Sequence, residues 1–256
     1  ASSSNVDLKD IPQLHQESQH AKVAKRVSDL FSRSHYKYMP LDDQLSEKVF
    51  NRYIEQLDYN KQIFMQSDID AIRVYQYSFD DNLKFGQLEP AYKIYQLNLT
   101  RRFERFTYAL SLLDKEITFD TEEEYQYDRS KAQWAKDKKA LDSLWHARVK
   151  SDALTLKLAD KKWPEIKTLL TKRYNYALKH LTQTESEDVF QTFMNAYAYT
   201  IEPHTSYLSP RNAERFQMEM NLSLEGIGAV LRAEEDYTVI QSVVSGGPAD
   251  KSNELK

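Results

Sequence analysis

The chain has 256 residues, a formal net charge of −4 and no cysteine. That excludes disulfides, thiolate metal sites and a cysteine nucleophile, and implies no bulk attraction to nucleic acid or to an anionic membrane. No apolar run approaches the ~20 residues that span a bilayer, and glycine is scarce beside abundant Lys, Glu, Leu, Gln and Ala, a balance that favours helices.

The polar start Ala1-Ser2-Ser3-Ser4-Asn5 suits a mature secreted protein or a trimmed chain equally, and residues up to about Pro12 read as a flexible lead. From His15, Val23, Val27, Leu30 and Phe31 recur at helical spacing, with an end near His35–Pro40. Asp42 or Asp43 then caps a helix carrying Leu45, Val49, Phe50, Tyr53, Ile54 and Leu57. Asp58-Tyr59-Asn60 reads as a turn, and Ser67 as the cap of a helix holding Ile69, Ile72, Val74 and Tyr75.

After Gly86 and Pro90 comes the longest helical pattern, roughly residues 90–115. Its stripe is Tyr92, Tyr95, Leu99, Phe103, Phe106, Leu110 and Leu113. Arg101, Arg102 and Arg105 are expected on a solvated face, with Glu104 and Asp114 among them. Thr118–Arg129, acidic and tyrosine-rich, reads as a loop leading into helices over Ser130–Lys150 and Ser151–Lys161, which contain Trp134, Leu141, Leu144, Trp145, Leu154 and Leu158. Lys136-Asp137-Lys138-Lys139 is expected as an exposed turn of helix. Trp163-Pro164 marks another start, since proline is tolerated in a first helical turn. Thr184 and Glu187 have capping-box spacing before Val189, Phe190, Phe193, Met194 and Tyr197, and the run stops at Ile201-Glu202-Pro203.

The pattern changes near Leu222. Four of the five glycines lie beyond it, in Leu224-Glu225-Gly226-Ile227-Gly228-Ala229-Val230-Leu231 and Ser245-Gly246-Gly247-Pro248-Ala249. Gly226-X-Gly228 between apolar runs gives a sharp turn whose N–H groups form an anion-attracting nest, and the following strand offers an edge to an added peptide. By itself the motif fits a plain hairpin turn or bulge equally well. No third glycine or Lys-Ser/Thr follows to make a nucleotide loop. Tyr237-Thr238-Val239-Ile240 reads as a second strand. The six histidines are scattered, without metal-ligand spacing, and His204 reads as part of a structural turn.

Glu202-Pro203-His204-Thr205-Ser206-Tyr207-Leu208-Ser209-Pro210, Leu222 to Ala229, Val239-Ile240 and Gly246 to Ala249 together resemble the carboxy-terminal processing peptidases, serine proteases with an inserted PDZ domain. Arg101-Arg102-Phe103-Glu104-Arg105-Phe106 and Ser186-Glu187-Asp188-Val189-Phe190 are similar to the tail-specific branch of Gram-negative bacteria. Glu202 stands where that family usually has Asp, a change conservative in charge.

The resemblance implies a mainly α architecture: a multi-helix N-terminal domain over residues 1–205, a connecting helix or linker over 206–221, and the first β-strands of a truncated PDZ domain over 222–256. Lys256 then reads as a truncation point or the end of visible order. Gly226, Ile227, Gly228 and Ala229 would hold a substrate's terminal carboxylate, while Val230 and Leu231 would pair with its tail and line an apolar pocket. Catalysis would use a serine with a lysine base, both in a later domain, so this chain alone is expected to be inactive, with no catalytic residue, metal or cofactor of its own. The implied partners are protein substrates with apolar C-termini and a lipoprotein adaptor, with no nucleic acid and no membrane span. The implied location is the bacterial periplasm, with peripheral attachment to the inner membrane left open. The rival reading is a non-enzymatic helical adaptor with a PDZ-type peptide-binding module.

Overall fold

The computed structural model describes residues 5–33 and 40–205; the expected end of the first helix near His35–Pro40 and the linker at 206–221 lie outside them. The described chain is mainly helical, with eight α-helices: α1 (Ser18–Arg33), α2 (Asp43–Leu57), α3 (Gln66–Ile72), α4 (Phe79–Phe85), α5 (Glu89–Ser111), α6 (Lys138–Leu158), α7 (Trp163–Thr182) and α8 (Ser186–Thr205). Among the described residues no strand forms; one isolated parallel bridge pairs Met65 with Ala135. The strands expected from Leu222 onward lie outside the described residues.

The chain divides into two compact units. Of the described residues, one unit takes those up to Gln13, Asp58–Ala71 and Gln96–Thr184, and the other takes those between Leu14 and Leu57, Ile72–Tyr95 and those from Glu185 to Thr205.

In the second of these units α2 packs against α8 and α4, and α1 against α4. The core is aromatic. Tyr53, Phe79 and Phe193 are fully buried or nearly so, and meet edge to face with centroids 4.9–6.1 Å apart. Each such side chain contributes roughly 1.5–3 kcal/mol through burial. The Tyr53 hydroxyl donates to the Ala91 carbonyl at 2.8 Å, so its polar end is satisfied inside the core. Gly86 ends α4 at φ +69°, where a Cβ would stand 2.8 Å from the Ala21 carbonyl oxygen. Both the left-handed backbone and the close approach demand glycine there.

In the first unit α6 and α7 pack together. Trp145, fully buried, meets Phe106 edge to face at 5.2 Å, and its indole N–H donates to the Gln62 carbonyl. The Tyr174 hydroxyl donates to Asp152 at 2.7 Å. Asp58 follows α2 directly and accepts from three backbone N–H groups, those of Gln62, Ile63 and Phe64, each at 2.9 Å. Burial pushes its carboxyl above the ordinary value, against the pull of those three donors.

Several local expectations change. The lead is ordered from Asn5: Leu8–Asp10 forms a 3-10 turn and Ile11 is buried. Asp42 caps α2 by accepting from the Leu45 N–H. Ser67 lies inside α3 rather than at its cap, because the Asp68 carboxylate reaches back to the Met65 N–H. Val74 sits in a 3-10 turn and is 72% exposed. Residues 130–137 are not helical, since Asp137 accepts from the Ala140 N–H and starts α6 at Lys138; α6 then runs unbroken past Ser151. The proline start of α7 is as expected. Thr184 does not form the capping box: its hydroxyl donates to the Leu181 carbonyl, and Asp188 takes the Glu185 N–H. Helix α8 continues through Pro203 to Thr205.

The arginines of α5 are the largest correction. Arg105 is 2% exposed and donates to Asp142 at 2.7 Å. Arg101 grips Asp68 with two parallel bonds of 2.9 Å and also reaches Glu104, while Arg102 bonds Asn98. Carboxylates far along the chain thus make Arg105 an internal strut and Arg101 a half-buried one, while Arg102 bonds within its own helix.

Candidate functional site

The loop expected to hold a C-terminal carboxylate, Gly226, Ile227, Gly228, Ala229, Val230 and Leu231, lies outside the described residues. Within them, the segment most suited to contact another molecule is the long irregular connection between α5 and α6, over residues 115–137. Connections of that length without secondary structure are uncommon in compact units and tend to be functional.

The first unit holds this strap from several sides. Tyr125 donates its hydroxyl to Gln62, and the Arg129 guanidinium donates to the Asn60 and Lys61 carbonyls. The Lys61 ammonium donates to the Ser130 carbonyl, and Gln66 N–H donates to the Ala135 carbonyl at 2.8 Å. Trp134 meets Phe64 edge to face. Over α6, Lys150 is buried and gives its ammonium protons to the Thr121 carbonyl at 2.6 Å, the Thr121 hydroxyl at 3.2 Å and Glu123 at 3.1 Å. His146 donates from Nδ1 to the other Glu123 oxygen at 2.8 Å. Burial works to raise the Glu123 carboxyl, but the hydrogen bonds from His146 and Lys150 outweigh it and hold it below the ordinary range.

Between strap and helix lies an open cleft of about 820 Å³. Phe119, Tyr125, Ala147 and Leu154 line it with apolar surface, and Glu122 and Glu124 are in its lining as well. Such a cleft suits contact with an extended or apolar segment; it offers no arrangement of nucleophile, base and oxyanion donors for chemistry.

The second unit contains a different cluster. Ligand atoms of Glu17, His20 and Glu187 lie within 4.8 Å of one another, a spacing compatible with a cation. The hydrogen bonds argue otherwise. Glu17 N–H donates to His20 Nδ1 at 2.9 Å, which places the ring proton on Nε2, where it is donated to Glu187 at 3.1 Å. The Tyr92 hydroxyl gives its own proton to the Ser186 carbonyl at 2.9 Å. A histidine that binds metal through one nitrogen normally donates from the other; here both nitrogens are committed. His20, fully buried and stacked on Phe190 at 4.5 Å, therefore staples α1 to α8.

The hydrogen bond from His20 holds the Glu187 carboxyl below the ordinary range despite burial. A depressed carboxyl contributes stability above its unfolded value of about 4.3 and loses it as pH falls through the lower folded value. Glu187→Gln removes that titrating contribution. The melting temperatures of parent and variant are thus expected to converge as pH falls from about 6 to about 3. A gap that stays constant over this range would mean that Glu187 contributes no pH-linked stability.

No helix among the described residues is long and apolar enough to cross a membrane. Residues 27–211 match the family described as the tail specific protease N-terminal domain. The chain is also 49% identical over 246 residues to the tail-specific protease of Haemophilus influenzae, a match covering 96% of this chain and 35% of that protein. It therefore spans about a third of the length of the curated relative it matches.

Proposed function

Since the chain belongs to the family of tail-specific protease N-terminal domains, we propose that it is the helical scaffold and the beginning of the substrate sensor of a serine endopeptidase. The whole enzyme would act in the bacterial periplasm, engage proteins with apolar C-terminal tails, and cleave them with a serine and a lysine base contributed by a later domain. What carries this reading is a likeness that runs along almost the entire chain to one protein named for tail-specific proteolysis.

The sensor would begin with Gly226-Ile227-Gly228-Ala229. Bare backbone N–H groups in a Gly-X-Gly turn suit a carboxylate, and the strand through Val230 and Leu231 suits main-chain pairing with an extended tail. The helical residues up to about 205 would carry the framework, and an adaptor lipoprotein would dock on that framework.

The test uses the full-length protein and a peptide with an apolar, free C-terminus. Amidating the peptide, or replacing Gly228→Val, is expected to weaken binding at least about tenfold, because either change removes the carboxylate's fit to the N–H nest. Helical circular dichroism should be unchanged. Equal affinity for acid and amide would remove the carboxylate-sensing role. Absence of peptide-bond cleavage by the full-length protein would favour the non-enzymatic adaptor reading instead.

A further inference from the structure

The strap between α5 and α6 has two sides with different company. Thr121, Glu123 and Tyr125 turn to the protein, through Lys150, His146 and Gln62. The intervening Glu122 and Glu124 are exposed, as is Asp120, and among the described residues no ion pair reaches any of the three. The Lys150 ammonium is already spent on Thr121 and Glu123, and the Lys157 ammonium lies over the Phe119 ring, 4.8 Å from its centroid. Negative charge is thus left over in a cleft that also presents the apolar surface of Phe119 and Leu154.

The strap's backbone is also left over. Among the described residues, no N–H from Ile117 to Asp128 bonds to a backbone carbonyl, and the Thr121 carbonyl is taken by Lys150. Backbone groups left open in this way can bond to the main chain of an extended peptide laid beside them. Next to the strap, Leu154 is 40% exposed and Leu158, one helical turn on, is 77% exposed. They prolong the apolar surface along α6.

We infer that the cleft between the strap and α6 is a docking site for an extended polypeptide segment in which apolar and basic side chains alternate. Main-chain groups of the guest bond to the open backbone groups of the strap, its apolar side chains lie on Phe119 and Leu154, and its Lys or Arg side chains meet Asp120, Glu122 and Glu124. Alternation follows from the two-residue period of an extended chain, which sends successive side chains to opposite sides. Recognition of this kind reads composition rather than sequence, and needs no free carboxylate. It rests on the protease reading only in taking the guest to be an unfolded stretch of a substrate; it uses no residue of the Gly226–Leu231 loop.

The probe is a short, amidated, fluorescein-labelled peptide alternating Leu and Lys, titrated into the whole chain and followed by anisotropy. The parent should bind it and should not bind the Leu/Glu counterpart. Glu122→Lys with Glu124→Lys should weaken binding about tenfold through like-charge repulsion, and Leu154→Asp should weaken it similarly while leaving the site acidic. All three positions are exposed, and unchanged helical circular dichroism establishes that the variants fold. Gly228→Val should leave this binding intact, which separates the inference from the tail-sensing reading. The inference is overturned if either set of substitutions binds like the parent, if the Leu/Glu peptide binds equally well, or if Gly228→Val abolishes binding.

Discussion

Asp142→Ala is expected to destabilise the chain by about 3 kcal/mol, through what it does to Arg105 rather than through the lost carboxylate. Arg105 is 2% exposed; among the described residues its Nε has no hydrogen-bond partner, and its guanidinium depends on Asp142 at 2.7 Å, with the Tyr108 ring 5.4 Å away. Asp142 is 23% exposed and has Lys138 as a second partner at 3.0 Å. Burial works to raise its carboxyl, yet Arg105 and Lys138 together hold it low. Removing the buried partner should therefore hurt less than removing the more exposed one. Arg105→Met keeps most of the packing volume, leaves Asp142 paired with Lys138, and should cost no more than about half as much. Urea denaturation of the two single variants and the double variant checks this. Equal losses for the two single variants would mean that water reaches Arg105.

The second large effect is expected at Asp58. Asp58→Ala strands the N–H groups of Gln62, Ile63 and Phe64, and the loss should be about 3 kcal/mol, given 1–3 kcal/mol for each buried group left unsatisfied and partial recovery through water. The damage should extend along this unit. The loop that Asp58 shapes presents the Gln62 carbonyl to Trp145, the Gln62 side chain to Tyr125, and the Asn60 and Lys61 carbonyls to Arg129. Lys61 also takes a left-handed backbone there, with φ +52°. Faster hydrogen exchange of the 115–130 segment in Asp58→Ala is therefore expected beside the lower denaturation midpoint. Asp58→Asn keeps one acceptor oxygen and should recover part of both. If exchange in that segment matched the parent, Asp58 would be shaping only its own turn.

Both residues show what a linear reading can reach. The helices were legible because burial imposes a period: Leu45, Val49, Phe50, Tyr53 and Ile54 name one face of α2, and all are buried. Trp163-Pro164 gave the start of α7 for the same local reason. Arg105 was read as solvated because its carboxylate lies 37 residues away, and no spacing rule connects them. The staple at His20 was equally hidden, since its partner Glu187 is 167 residues distant. The start of α8 differs from the Thr184 cap that the spacing predicts because the Thr184 hydroxyl turns back to the Leu181 carbonyl, leaving the Asp188 carboxylate to take the Glu185 N–H. The strap was recognisable as an acidic, tyrosine-rich loop. Its burial of Lys150, and the cleft that results, depend on side chains that composition cannot pair.

The interleaved order of the two compact units has a consequence for how the protein is made. Tyr53 meets Phe193 across 140 residues of chain, and Phe31 meets Tyr197 across 166. At roughly 5–20 residues per second, a ribosome releases Phe193 about 7–28 s after Tyr53. Tyr53 and Phe79 can meet as soon as α4 has emerged, but the sides of Phe31, Tyr53 and Phe79 that face α8 stay uncovered until Phe193 and Tyr197 arrive. Slowing elongation before α8 should therefore favour aggregation rather than orderly domain-by-domain folding.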